Sequence, residues 1–210
     1  MNAAQGRTRE SSSRRPLDSI ALFSILLALP AAVFTYRYAT GASFYGEYVH
    51  QTGDLAARLL IVALAVTPLR LAFPNAGFTA WLMRRRRQIG VAVFGYAALH
   101  AAAYLLRQPA ATIATDAAEA PMAAGWVALA GLLALALTSN DTSVRWLRRG
   151  WKRLHRAVYL VAVLTFAHWI MTAFDPLAGA VHLGLLAALE IVRVLLVYSR
   201  ARRDARTKRE

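Results

Sequence analysis

The chain reads as an all-α membrane protein, a bundle of six transmembrane helices, and its composition and its patterning both predict this. Of its 210 residues 58% are hydrophobic, yet the formal net charge is +14. The two properties separate along the sequence into long apolar runs and short basic connections, the arrangement a bilayer imposes. Cysteine is absent, which excludes iron–sulfur clusters, thiolate-ligated haem and covalent haem attachment. It also leaves external loops without disulfides. A nucleic-acid partner would need the basic side chains on a folded soluble surface, and the apolar runs leave too little chain to build one.

A helix needs roughly 20 apolar residues to cross the hydrocarbon. Six stretches qualify, at about 19–37, 55–73, 88–106, 120–139, 155–174 and 177–198. The first follows a polar, basic segment and shows no convincing small-residue cleavage site, so it reads as an uncleaved helix. The second carries Arg58 and Arg70, both expected near its ends, where long side chains snorkel to the interface. Pro30 and Pro68 interrupt spans, which membrane helices tolerate. The third, QIGVAVFGYAALHAAAYLL, and the fourth, from Ala120 to Ser139, hold no formal charge. The domain organisation expected is a basic tail over 1–17, a transmembrane domain over 18–198 and a second basic tail over 199–210.

Lysines and arginines set the orientation. Twenty-two of the 25 fall on the N-terminal tail, the second and fourth connections and the C-terminal end, leaving only Arg37, Arg58 and Arg107 for the other side. The positive-inside rule then predicts that both termini are cytoplasmic. Arg84 to Arg87 serve this topology and attract anionic membrane lipids.

Three histidines carry the chemistry. His100 and His168 lie deep in the third and fifth spans, and an ionisable residue there points to function. Neutral imidazole is the usual protein ligand of b-type haem iron. His100 stands 13 residues beyond Arg87 and His168 15 beyond Arg153. At about 1.5 Å per residue, both sit roughly 20 Å above the cytoplasmic edge. Two histidines at matched depth on like-oriented helices predict one haem clamped in the outer half of the membrane. Small residues around His100, among them Gly95, Ala97, Ala101 and Ala102, let a flat macrocycle or a backbone approach.

His155 begins the fifth span on the cytoplasmic side. Its 13-residue separation from His168 leaves the two some 140° apart around the helix, so they can address two sites. His182, at a depth similar to that of His100, competes as a ligand, with packing as its simpler role. His50, within YVHQTGD, is expected in the first external connection as an interfacial side chain. Tyr45, Tyr48 and Trp169 are expected in the interfacial aromatic belt. Glu190 and Arg193, three apart, are placed to pair on one helix face.

The stretch RRRRQIGVAVFGYAALHAAAYLL, with LALTSNDTSVRWLRRGWKRLHRAVYLVAVLTFAHWI further on, resembles the MsrQ family. So does HQTGDLAARLLIVALAVTPLR, and the likeness runs over about residues 48–198. These haem-binding membrane subunits of bacterial methionine sulfoxide reductase systems belong to the wider ferric-reductase-like transmembrane class. The resemblance implies electrons taken from the quinone pool or a cytoplasmic flavin reductase. They would pass to a periplasmic molybdopterin methionine sulfoxide reductase subunit that repairs oxidised proteins, across the bacterial inner membrane. It implies haem b and sometimes FMN as cofactors, with His100, His155 and His168 as inherited ligand candidates.

Relatives in the oxidase branch of the class stack two haems on two histidine pairs. Here Arg86 or Arg87 stands where the inner member of the third-helix pair would be, so His155 has a second haem, a quinone or a flavin as its alternatives. The residues themselves carry no G-x-G-x-x-G after a strand and no P-loop for a nucleotide. Arg86 and Arg87 are the candidate contacts for a flavin phosphate or quinone carbonyl. No nucleophile–base–orienter set is evident, so the chain reads as an electron conduit whose partner reduces the substrate. The alternatives are a stand-alone transmembrane reductase of ferric-reductase type, and a small transporter or structural protein with incidental histidines.

Overall fold

The computed structural model describes residues 19–207, and the expected tail over 1–17 lies outside them. Among the described residues the chain forms nine helices: α1 (Ile20–Ala39), α2 (Tyr45–Ala72), α3 (Gly77–Arg107), α4 (Ala110–Asp116), α5 (Ala120–Leu137), α6 (Asp141–Leu147), α7 (Arg149–Arg156), α8 (Val158–Thr172) and α9 (Pro176–Thr207). Six stretches are long and apolar enough to span a membrane, with α7 and α8 together making the fifth. The protein is a multi-pass, all-α membrane protein.

The second helix departs most from expectation. It starts at Tyr45, some ten residues early, because the polar YVHQTGD segment satisfies itself within one helical turn. Gln51 bonds Glu47 at 3.0 Å and Thr52 folds back on the Tyr48 carbonyl at 2.8 Å. Asp54 pairs with Arg58 at 3.0 Å, and Glu47 reaches Arg37 of α1 at 3.2 Å. Two expectations fall with this. His50 is part of α2 rather than of a connection, and Arg58 lies well inside the helix, with its charge met by Asp54.

The core lies between α2, α3, α5 and α8, where Leu60, Leu64, Val93, Leu132, Val161 and Phe166 interlock. In lipid no hydrophobic drive separates helix from solvent, so close packing and interhelical hydrogen bonds hold such a bundle. The α1 helix has no buried residue and is tied on by polar and aromatic contacts, with Phe23 edge-to-face on Trp81 of α3 at 5.2 Å. The Tyr96 hydroxyl donates to the Leu27 carbonyl at 2.7 Å and accepts from the Ala31 amide at 3.1 Å. It thereby enters the helical rung beside Pro30. Tyr48, expected in the interfacial belt, is instead buried; it stacks on Tyr38 and its hydroxyl lies 3.1 Å from Thr35 Oγ1.

Two breaks place the lower histidine. Between α6 and α7 the chain turns at Arg148, whose φ of +47° is a costly conformation for a residue with a Cβ. A second interruption at Ala157 separates α7 from α8. At the far end α9 runs past its apolar stretch to Thr207, its Arg200 bonding the Leu71 carbonyl at 2.5 Å.

Candidate functional site

His100 on α3 and His168 on α8 come together. Their ring centroids are 6.2 Å apart with planes at 88°. His100 Nδ1 lies 2.9 Å from the Val49 carbonyl of α2, and His168 Nδ1 lies 2.8 Å from the Pro121 carbonyl of α5. A carbonyl oxygen can only accept, so each Nδ1 is the protonated donor, and in the neutral ring Nε2 then keeps a free lone pair. That is the tautomer a metal ion requires, and each ring is oriented by a backbone acceptor from a neighbouring helix.

Both rings line a cavity of about 400 Å³ bounded by α2, α3, α5 and α8. Its wall is largely small or aromatic: Gly53, Ala57, Ala97, Ala101, Gly125 and Ala128 leave room, while Tyr104, Trp126, Trp169 and Phe174 supply flat faces. Trp169, expected in the belt, therefore faces the site and stacks on Phe166. His50 and Asp54 line the same cavity from α2, which sequence reasoning had not placed there. Beyond His100, the Tyr104 hydroxyl donates to Asp116 at 2.6 Å and fixes α4 over the bundle.

A second cavity, of about 250 Å³, is lined by Arg86, Arg87, Gly90, Ser139, Trp151 and His155 among others. His155 is held firmly. Trp151 stacks on its ring at 4.0 Å, its Nε2 is 3.1 Å from Thr138 Oγ1, and the Trp151 indole donates to the Thr138 carbonyl at 2.9 Å. Arg86 Nε donates to the Ala63 carbonyl at 3.1 Å. Arg87 pairs with Asp141 at 2.7 Å, and this guanidinium holds the Asp141 carboxyl below the usual carboxylate range. His155 and His168 thus face different cavities, in keeping with their separation around the helix.

His182 stays apart. Its Nδ1 donates to the Ala178 carbonyl of its own helix at 2.7 Å and its ring leans on Trp169 at 5.1 Å. Unlike His50, it does not line the larger cavity. Glu190 and Arg193 pair at 2.5 Å as their spacing predicts, with the guanidinium 4.8 Å from the Tyr159 ring centre. The partners that sequence reasoning missed are the Val49 and Pro121 carbonyls, since a backbone acceptor carries no side-chain signature.

Helices of this length enclosing a facing histidine pair define a class of membrane protein. Residues 52–166, just over half of the chain, match the family described as ferric reductase like transmembrane component. Over 213 aligned residues the chain is 33% identical to proteins of Brucella ovis, Brucella canis and Brucella suis. Each is named protein-methionine-sulfoxide reductase heme-binding subunit MsrQ, and the match covers 98% of this chain and 94% of each relative. The chain belongs to the MsrQ family, within the ferric-reductase-like transmembrane class.

Proposed function

We propose that this protein is a haem b electron-transfer subunit in which His100 and His168 are the axial ligands. The observation that carries the reading is the paired imidazoles with both Nδ1 atoms bonded to carbonyls. Two imidazoles sharing one metal ion, each bound at about 2 Å, have ring centres roughly 6 Å apart, and these stand at 6.2 Å. A cavity of about 400 Å³ falls within the usual range of cofactor sites. When bound, haem supplies one-electron transfer. The chain's own task is to fix both rings, exclude water with the apolar wall and open the site toward an external partner.

Both termini are cytoplasmic in this reading, as the distribution of arginine and lysine supports, and the protein sits in the bacterial inner membrane, as the family resemblance implies. Electrons enter from the quinone pool or a cytoplasmic flavin reductase at the cavity of His155, Arg86 and Arg87. They leave through the outer haem to a periplasmic molybdopterin methionine sulfoxide reductase. For the inner cavity the residues favour a quinone headgroup over FMN or a second haem: Arg86 and Arg87 are already engaged by Ala63 and Asp141, which leaves less for a flavin phosphate, and His155, the one histidine among the lining residues, has its Nε2 3.1 Å from Thr138 Oγ1.

Absorbance of the haem-supplemented, detergent-solubilised protein tests the ligand assignment. The reduced-minus-oxidised spectrum should be low-spin b-type, and His100→Ala and His168→Ala should each abolish the outer component. A colourless parent protein would refute the reading and favour a transporter or structural role.

A further inference from the structure

Each histidine reaches its carbonyl at a place where the neighbouring helix has no side chain. Gly53 follows Val49 by four residues, and Gly125 follows Pro121 by four. In an α-helix the amide at position i+4 bonds the carbonyl at i, and its Cβ leans back over the preceding turn. A side chain there stands beside the carbonyl that a ring from another helix would have to approach. A Cβ at Gly53 would lie 2.8 Å from His100 Nδ1 and 3.1 Å from Cε1. One at Gly125 would lie 2.8, 2.9 and 3.1 Å from His168 Nδ1, Cε1 and Cγ. Contacts below 3.0 Å are essentially never made by real Cβ atoms. The carbonyl's two lone pairs then serve the glycine amide and the imidazole together. The arrangement occurs twice, α2 cradling the ligand of α3 and α5 cradling the ligand of α8.

We propose that Gly53 and Gly125 are positioning residues, matched gaps that let His100 and His168 hydrogen-bond the Val49 and Pro121 carbonyls and so set the potential of the outer haem. The inference rests on the reading of both histidines as haem ligands. An Nδ1–H donated to a carbonyl fixes the ring and strengthens Nε2 as a donor. A stronger donor favours ferric over ferrous iron. Adding a methyl at either glycine pushes the ring off its carbonyl, weakens that bond and raises the midpoint potential, while the ring keeps room to bind iron. Gly95 on α3, expected beside the macrocycle, lines neither cavity, and a Cβ there meets nothing within 4 Å, so it is the control.

The test compares haem-loaded parent, Gly53→Ala, Gly125→Ala and Gly95→Ala proteins by redox titration and low-temperature electron paramagnetic resonance. Both cradle variants should retain haem, shift the potential upward and change the low-spin g-values. Gly125→Ala should shift further, since three ring atoms crowd its Cβ, and Gly95→Ala should match the parent. Unchanged potential and g-values in the cradle variants, or an equal shift in Gly95→Ala, would overturn the proposal. Haem missing from the parent, or retained by His100→Ala and His168→Ala, would instead overturn the ligand assignment. Should an alanine variant fail to accumulate, the parent carries the test: electron–nuclear double resonance with 15N-histidine should find an exchangeable proton on the Nδ1 of both ligands, and its absence from either would overturn the proposal.

Discussion

Replacing Tyr96 by Phe isolates one of the contacts that hold α1 to the bundle. The ring is buried and stays, so the change removes only a hydroxyl that donates to Leu27 at 2.7 Å and accepts from Ala31 at 3.1 Å. No water is at hand in lipid to take its place, and each unmet backbone group is costly. Leu27 and Ala31 belong to one helical rung, however, and once the hydroxyl is gone they can close on each other. A buried hydrogen bond contributes about 1 kcal/mol net, and interhelical bonds in membranes average about 0.6 kcal/mol. With the rung partly recovered, the expected loss is about 1 kcal/mol, roughly five-fold in the unfolding equilibrium. Unfolding in mixed detergent micelles, followed by tryptophan fluorescence and haem absorbance, measures it. Haem content should be unchanged, since α1 contributes nothing to the cavity. Unaltered stability would refute the account of the α1 contact, and loss of haem would mean that α1 supports the site.

Three further outcomes are expected. His182→Ala and His50→Ala should both retain outer haem, as judged by the reduced spectrum, because one ring serves its own helix and the other lacks the carbonyl cradle. His155→Ala should keep most outer haem yet slow its reduction by a quinol or flavin donor in stopped-flow measurements on proteoliposomes; a normal rate would leave His155 a structural residue. The contact between Arg87 and Asp141 should be sensitive to acid. The Asp141 carboxyl is held below its usual value by Arg87. Whatever stability the pair adds is present above the unfolded value, about pH 4, and is lost as pH falls through the lowered folded value. Both groups are well exposed, so the effect should be small and weaken with salt. Melting of Asp141→Asn beside the parent at pH 7 and at pH 3 measures it, with a smaller difference expected at pH 3 than at pH 7.

The spans and the facing histidines were legible because they depend on long averages. Twenty apolar residues announce a helix regardless of detail, and a rise of 1.5 Å per residue carries His100 and His168 to one depth without knowledge of packing. The start of α2 was not legible. Hydropathy falls across YVHQTGD, and only side chains pairing within a turn, Glu47 with Gln51 and Asp54 with Arg58, keep it helical. That error carried His50 out of the cavity and Arg58 to a helix end. Tyr48 and Trp169 were misplaced for a related reason: an aromatic near a span's end fits a lipid interface and a helix contact equally well, and only the fold distinguishes them. The carbonyl cradles left one trace each in the sequence, a glycine: Gly125 inside an apolar span and Gly53 within the polar YVHQTGD segment. By itself that signal serves packing as readily as a ligand.

The two cavities share walls. Val93 of α3 and Leu132 of α5 line both, and each is almost wholly buried. The inner site is thus divided from the outer by a single layer of aliphatic side chains. In the proposed reading this thinness matters in two ways. Electrons have a short packed path between the cavity of His155 and the pair His100 and His168. Protons have none, since aliphatic side chains offer no hydrogen-bonding relay and leave no polar partner for a bridging water. The two histidines follow the same division: α7 holds His155 against Trp151 and Thr138, while α8 directs His168 toward Pro121. Their separation of some 140° around a nearly continuous helical span lets each meet its own site.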